Sequence, residues 1–448
     1  MNRIKPSLRR FYQTAYYPLL VVGLAFLGHV TGQEFLFIGL IICSLIPALL
    51  FAKDARFAVM PILSILFTIS KKDYVPGDTG YSERFLNTGV LIFAGVLACL
   101  LIPSLIYFFV SNRKTVNKPA THGIWQGCAI FCAAMFFNGL FSKNYEIRNV
   151  IYVLLVSACL LAVYFLFALY MNFDRTSIDY LMYCFVLAGL LISCELIAAY
   201  FTTATLGDKG SVVLGWGIWT AIGGMLVFLM PACFYFAASH QHGWIGFGLG
   251  LFEFFCIFLS QSRGALLFGA MGLGLCFLYL FFRGRNRKQN RIFILLLAGM
   301  GLVGAILLKD KIFEVLKNLT DLGDNGRKAI WEIGWNNFTK YPIFGSGFYD
   351  SFVDPAFEHG FDPYLYHNTV IQMLGACGLV GFLAYAYHRI QTVRLVFTKM
   401  NPCKIFLGIA LLAFLSFNLL DVLFFKFYPS FFYALMLLCM EKSELCLE

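Results

Sequence analysis

Residues 149–171 read NVIYVLLVSACLLAVYFLFALYM, 23 residues without a charged side chain. The hydrocarbon core of a bilayer is about 30 Å thick and takes roughly 20 apolar residues per helix, so this stretch is a transmembrane helix. Similar runs extend in both directions from it, at about 12–30, 34–52, 56–70, 89–110, 122–141, 180–201, 213–237, 243–259, 264–282, 292–308, 367–388, 405–420 and 423–440. The segments at 56–70 and 405–420 are short, and the closing pair could form one re-entrant hairpin. The expected fold is therefore all-α, a polytopic transmembrane helical bundle of about 12–14 spans.

Composition agrees. Apolar residues make up 60% of the 448 and charged residues only 13%, outside the range of soluble domains and of disordered or fibrous chains. Fifty phenylalanines and forty glycines suit helices that approach closely in lipid. Twelve of the fourteen cysteines fall in apolar runs, and the Cys128–Cys132 pair has no accompanying His or acid, so packing rather than metal binding or a disulfide framework is expected.

Lys and Arg stay on the cytoplasmic side in short loops. With the N-terminus inside, cytoplasmic segments hold 20 of them and outer segments 14, of which six lie in the single long loop 309–366. Both termini are then cytoplasmic. The basic run Arg283, Arg285, Arg287, Lys288 and Arg291 reads as a connector facing anionic lipid, and no nucleic-acid partner is expected. Only Glu195 and Glu253 are acids embedded in spans, too few for the paired ionisable groups of an ion-coupled transporter. The chain thus divides into helices 1–308, a long outer loop 309–366 and C-terminal helices 367–448.

Long loops tend to carry function. Inside this one, Asp321 to Asp324 offer capping groups, and Ile330, Trp331, Gly334, Trp335 and Phe338 recur at helical spacing. They predict an amphipathic helix on the membrane, ended by Tyr341-Pro342 and the turn Gly345-Ser346-Gly347. Arg327 falls in its first turn, where the helix dipole disfavours a cation unless an anion is also present. Arg263 repeats the situation just before the helix that follows Ser260-Gln261-Ser262. Each stands beside exposed backbone N–H groups, an arrangement that binds phosphate. The plainer readings are an arginine snorkelling to headgroups for Arg263 and a surface salt bridge for Arg327.

His367, in Tyr364-Leu365-Tyr366-His367-Asn368-Thr369, is placed at the outer start of the span 367–388. There the dipole disfavours the imidazolium and leaves a ring nitrogen free to act as general base; helix capping is the plainer alternative. His359 reads as solvated. His29, His122, His240, His242 and His388 lie at span ends with no partner evident in the sequence. No phosphate-binding glycine loop, dinucleotide fingerprint, HExxH, CxxC or serine elbow is present. Asp350, Asp354 and Asp362 lack diagnostic metal spacing, so neither a metal nor a cofactor is expected.

Three blocks then resemble the superfamily of O-antigen ligases and O-antigen polymerases, integral-membrane glycosyltransferases. They are Leu214-Gly215-Trp216-Gly217 into Ala221-Ile222-Gly223-Gly224 and Pro231; Ser260 to Ala265; and Gly326-Arg327-Lys328-Ala329-Ile330-Trp331 through Gly345-Ser346-Gly347 and His367-Asn368 to Gly375–Gly381. Asn418-Leu419-Leu420-Asp421-Val422 before a closing aromatic span resembles the ligases in particular. Ile218-Trp219-Thr220 departs from relatives, which often carry an asparagine there.

The resemblance implies twelve or more helices in a bacterial inner membrane. It further implies metal-independent, inverting transfer at the periplasmic face, from an undecaprenyl-diphosphate-linked glycan to a hydroxyl of lipid A-core oligosaccharide. Joined to the residue reading, Arg263 and Arg327 would hold the diphosphate, His367 would take the acceptor proton, and Asp421 would orient His367 or an arginine. A polymerase joining lipid-linked repeats and a flippase or polysaccharide exporter are the alternatives.

Overall fold

The computed structural model describes residues 10–52, 54–70, 88–113, 123–143, 145–307, 327–349 and 365–444. The N-terminal helices are α1 (Tyr16–Thr31), α2 (Glu34–Pro47), which runs on into a π-helical turn Ala48–Ala52, α3 (Val59–Ile65), flanked by 3₁₀ turns, α4 (Thr88–Asn112), α5 (Ile124–Phe141), α6 (Ile147–Tyr170) and α7 (Arg175–Thr202). A two-stranded hairpin follows, β1 (Val213–Leu214) with β2 (Gly217–Ile218), and leads into α8 (Trp219–Leu229) and α9 (Pro231–Ser239). The remainder is α10 (Gly243–Leu259), α11 (Arg263–Phe282), α12 (Arg287–Leu307), α13 (Arg327–Lys340), α14 (Thr369–Phe397), α15 (Pro402–Phe417) and α16 (Phe427–Lys442).

The chain is a multi-pass membrane protein. Eight helical segments among the described residues are long and apolar enough to cross a bilayer, and four shorter apolar ones accompany them. Burial separates the core from the rim: α4 exposes most of its apolar side chains, as a lipid-facing helix does, whereas the joined pair α8–α9 is almost wholly enclosed. Several boundaries differ from the sequence reading, among them the span expected at 292–308, which begins at Arg287 and so takes Arg287, Lys288 and Arg291 of the basic run into its first turns instead of a connector. The span expected at 213–237 begins at Trp219, because Val213 to Ile218 pair as a hairpin. The span expected at 367–388 runs on to Phe397, so His388 is a fully buried helical residue and Arg389 lies within the helix.

Helix α14 is interrupted at Gly378, whose φ of 62° and ψ of −164° are not helical. Glycine takes this conformation without the Cβ penalty other residues meet. The break admits the turn after α13: Leu379 N–H donates to Pro342 O at 2.8 Å, Val380 N–H to Ile343 O at 3.2 Å, and Gly347 N–H to Ala376 O at 3.0 Å. Gly345, at φ 72°, abuts the Ala376 carbonyl so closely that no Cβ would fit. Below the break, residues 379–397 are 19 in number, close to one bilayer thickness at 1.5 Å each.

Successive helices among the last three alternate in direction. At one end Asn401 caps α15, accepting from Lys404 N–H at 3.0 Å, and donates to Ser443 Oγ at 2.9 Å; Lys404 Nζ is buried against the Leu395 carbonyl and Glu444. The opposite end gathers the starts of α11 and α14 and the finish of α15.

Candidate functional site

Helix α15 closes on Asn418, and this side chain organises the turn that follows. Its Nδ2 donates to Phe414 O at 2.7 Å and its Oδ1 accepts from Phe424 N–H at 2.7 Å, folding residues 418–424 back on themselves. Its own carbonyl receives Thr369 N–H and Thr369 Oγ, both at 3.0 Å, while Asn368 Nδ2 donates to Leu419 O at 3.0 Å. The start of α14 is thereby fastened to the end of α15. Asn368 is also the N-cap of α14, its Oδ1 accepting from Val370 at 2.9 Å and Ile371 at 3.2 Å, a capping interaction worth about 1 kcal/mol.

His367 consequently sits one residue before the cap, not within the helix as the sequence reading had it. Its φ is 52°, a left-handed conformation that costs a non-glycine residue roughly 1–2 kcal/mol. The strained backbone presents the ring, 44% exposed, to Asp421: Nδ1 lies 3.5 Å from Oδ1. Burial pushes the Asp421 carboxyl up, but the hydrogen bond and charge of His367, the Val422 N–H and Lys426 together outweigh it and hold the group below the usual carboxylate range. The Asp–His contact turns Nδ1 to the acid and leaves Nε2 clear of it.

Arg263 opens α11, with Ser262 as N-cap accepting from Ala265 N–H at 3.4 Å. The residue before the cap is again left-handed, Gln261 at φ 56°, and its amide staples the preceding loop through Thr205 O at 2.9 Å and Gly207 N–H at 3.1 Å. Gly264 rests on Phe417 and Leu420, so Arg263 begins its helix beside the turn that carries Asp421. The Gly223-Gly224 pair of α8 makes this approach feasible: Cβ atoms there would stand 2.6 Å from Ser260 Oγ and from the Phe417 ring. Both arginines are at least partly open to solvent, and among the described residues neither pairs with a carboxylate.

Arg327 is the first residue of α13, whose range matches the helix expected from Ile330, Trp331, Gly334, Trp335 and Phe338. That helix packs against the start of α14. Gly334 is buried against Tyr366 and Ile371, a Cβ at Gly375 would stand 2.7 Å from the Gly334 carbonyl oxygen, and Asn337 Nδ2 donates to Tyr366 OH at 2.8 Å. Arg327 is therefore two turns from a helix contact that also flanks His367. The four residues singled out from sequence stand on elements that meet at one end of the bundle, and of their side chains His367 and Asp421 are in direct contact. Asp321, Asp324, Asp350, Asp354, His359 and Asp362 lie outside the described residues, as does His122.

Residues 248–386 match the family model described as O-antigen ligase. The chain carries a domain of the O-antigen ligase superfamily. The matched region runs from within α10 to below the break in α14 and includes Arg263, Arg327 and His367, whereas Asp421 lies in the chain beyond it. No curated protein matches the chain.

Sequence reasoning passed over the residues that set this geometry. Asn418 figures there only inside a resembling pentapeptide, and Asn138 and Asn149 only as unremarked members of apolar spans. Asn138 Nδ2 donates to Ala376 O at 2.9 Å and to Phe344 O, and Asn149 Oδ1 accepts Phe348 N–H at 3.0 Å, holding the turn in the break of α14. The available signal was an amide side chain near the end of an apolar run, where it is costly unless it satisfies a backbone group.

Proposed function

We propose that this chain is an O-antigen ligase, transferring a glycan from an undecaprenyl diphosphate carrier to a hydroxyl of lipid A-core at the periplasmic face of the inner membrane. The observation that carries the reading is the His367–Asp421 contact at 3.5 Å, set on a turn to which the helix opened by Arg263 is also packed. His367 takes the acceptor proton through Nε2 as the hydroxyl attacks C1 of the donor sugar. The C1–O bond to the carrier breaks in the same step, and the diphosphate leaves with its charge neutralised by Arg263 and Arg327. Arginine suits that task because it stays charged and can meet two phosphate oxygens at once. Asp421 holds the ring in register and compensates the imidazolium formed in the transition state.

The test is transfer by the purified protein in detergent, supplied with lipid-linked donor and lipid A-core. A covalent lipopolysaccharide product supports the reading. Product made only when a second lipid-linked repeat is the acceptor makes the enzyme a polymerase, and absence of any covalent product assigns the chain to transport. In cells, a deletion strain of a ligase leaves bare core, whereas loss of a polymerase leaves core bearing one repeat.

A further inference from the structure

We infer that Arg389, deep in α14, is a positioning residue for the Asp421–His367 pair, acting through a cage of aromatic faces. The inference rests on the functional reading above. Arg389 lies about three turns below the Gly378 break, and its Cζ stands 4.5 Å from the ring centroid of Tyr385, 4.3 Å from that of Phe424 and 4.9 Å from that of Tyr433. Nη1 donates to Tyr433 OH at 2.6 Å, while Nε and Nη2 are buried and find no hydrogen-bond acceptor among the described residues. The cation is thus held by ring faces instead of a carboxylate. An arginine within a bilayer is costly, and three rings arranged around one are a directed interaction, not incidental packing.

Each ring belongs to a different segment. Tyr385 is on α14 itself, Tyr433 is on α16, and Phe424 is on the turn that carries Asp421 three residues earlier. Tyr433 OH also meets His388 Nε2 at 2.9 Å and Thr392 Oγ at 3.0 Å, so α16 is bound to α14 at a hub of three polar contacts. The turn has further anchors: Asn418 Oδ1 on Phe424 N–H above, and Tyr152 OH on Phe425 O at 2.6 Å. Together with the Thr369–Asn418 and Asn368–Leu419 bonds these restrain its backbone, while the buried Phe424 ring, packed also on Phe131, Tyr385 and Tyr433, links Arg389 to the turn that faces His367. Asp421 and His367 are on opposite sides of that joint. Their 3.5 Å contact therefore depends on a cation far below them in the membrane.

The experiment is a double-mutant cycle on transfer in detergent, with undecaprenyl-diphosphate-linked glycan as donor and lipid A-core as acceptor. Arg389→Met should lower kcat about ten- to a hundredfold with KM for donor and acceptor unchanged, and Arg389→Lys should recover part of the loss. In an Asp421→Asn background, Arg389→Met should add almost nothing, because its effect passes through Asp421. Equal losses in both backgrounds, or a raised KM, would make Arg389 merely structural and overturn the inference. If Arg389→Met fails to insert, Phe424→Leu is put through the same cycle with the same expectation and the same refutation. Slow Asp421→Asn with full-speed Arg389→Met removes Arg389's role alone. Full-speed Asp421→Asn defeats the catalytic pair itself, and the inference falls with it.

Discussion

Helix α14 offers two histidines for comparison. His367 stands before its N-terminal cap, nearly half exposed, on strained backbone and 3.5 Å from a carboxylate. His388 is fully buried, between Tyr433 OH at 2.9 Å and Cys128 Sγ at 3.9 Å, and stacked on Phe131. Both rings have polar partners, but only the first leaves a nitrogen open to a ligand and faces a group able to compensate a proton. Strain costs stability and is retained where the surroundings over-determine it; at His367 they do so through Asn368, Thr369 and Asn418. The difference teaches that a catalytic assignment follows from access and from a charged partner, and that burial with good hydrogen bonds indicates packing.

The sharpest way to break this comparison is to remove each ring. His367→Ala should reduce transfer by about 10²–10⁴ while expression and membrane insertion are retained, whereas His388→Gln should leave turnover per folded molecule within severalfold and lower the melting temperature. Normal glycan attachment by His367→Ala would end its role as base.

Next in size are the arginines. Arg327→Ala should lose about 10²–10³ in rate, measured as lipopolysaccharide product per unit of inserted protein. Arg263→Lys should retain part of donor binding and lose the two-pronged contact, seen as a higher KM for donor; wild-type kinetics there would favour snorkelling.

The smallest expected effect is on stability. Because the folded Asp421 carboxyl titrates below its unfolded value of about 3.9, its contribution is complete above that pH and is lost as pH falls through the folded value. Wild-type melting temperature in detergent should fall more steeply than that of Asp421→Asn on acidification below about pH 4. Parallel curves would show that the His367 contact does not stabilise the carboxylate.

Much of this was legible in the chain itself. Apolar run length located the helices, the 3.6-residue repeat of Ile330, Gly334 and Phe338 located α13, and the dipole conflict at Arg263 and Arg327 drew attention to helix starts that the fold brings to one end. The rest was hidden for physical reasons. Gly378 sits in a run that reads as uninterrupted helix, and only the approach of Ile343 and Gly345 makes its left-handed conformation necessary. His388 and Arg389 look like the polar end of a span, because the three rings that allow an arginine to stay inside come from residues 385, 424 and 433. The hairpin at 213–218 was masked by Leu214 and Trp216, apolar residues that pass equally well for helix. Contacts between distant segments leave no period in a single sequence.

On the proposed mechanism, the end of the bundle where α11 and α14 begin binds a diphosphate between Arg263 and Arg327 beside His367. Photo-crosslinking with a prenyl diphosphate probe that carries its reactive group next to the phosphates, followed by peptide mapping, tests it most directly. Label is expected on the peptides that begin α11, α13 and α14, competed away by unlabelled undecaprenyl diphosphate. Label concentrated on the basic run 283–291 at the opposite end would contradict it.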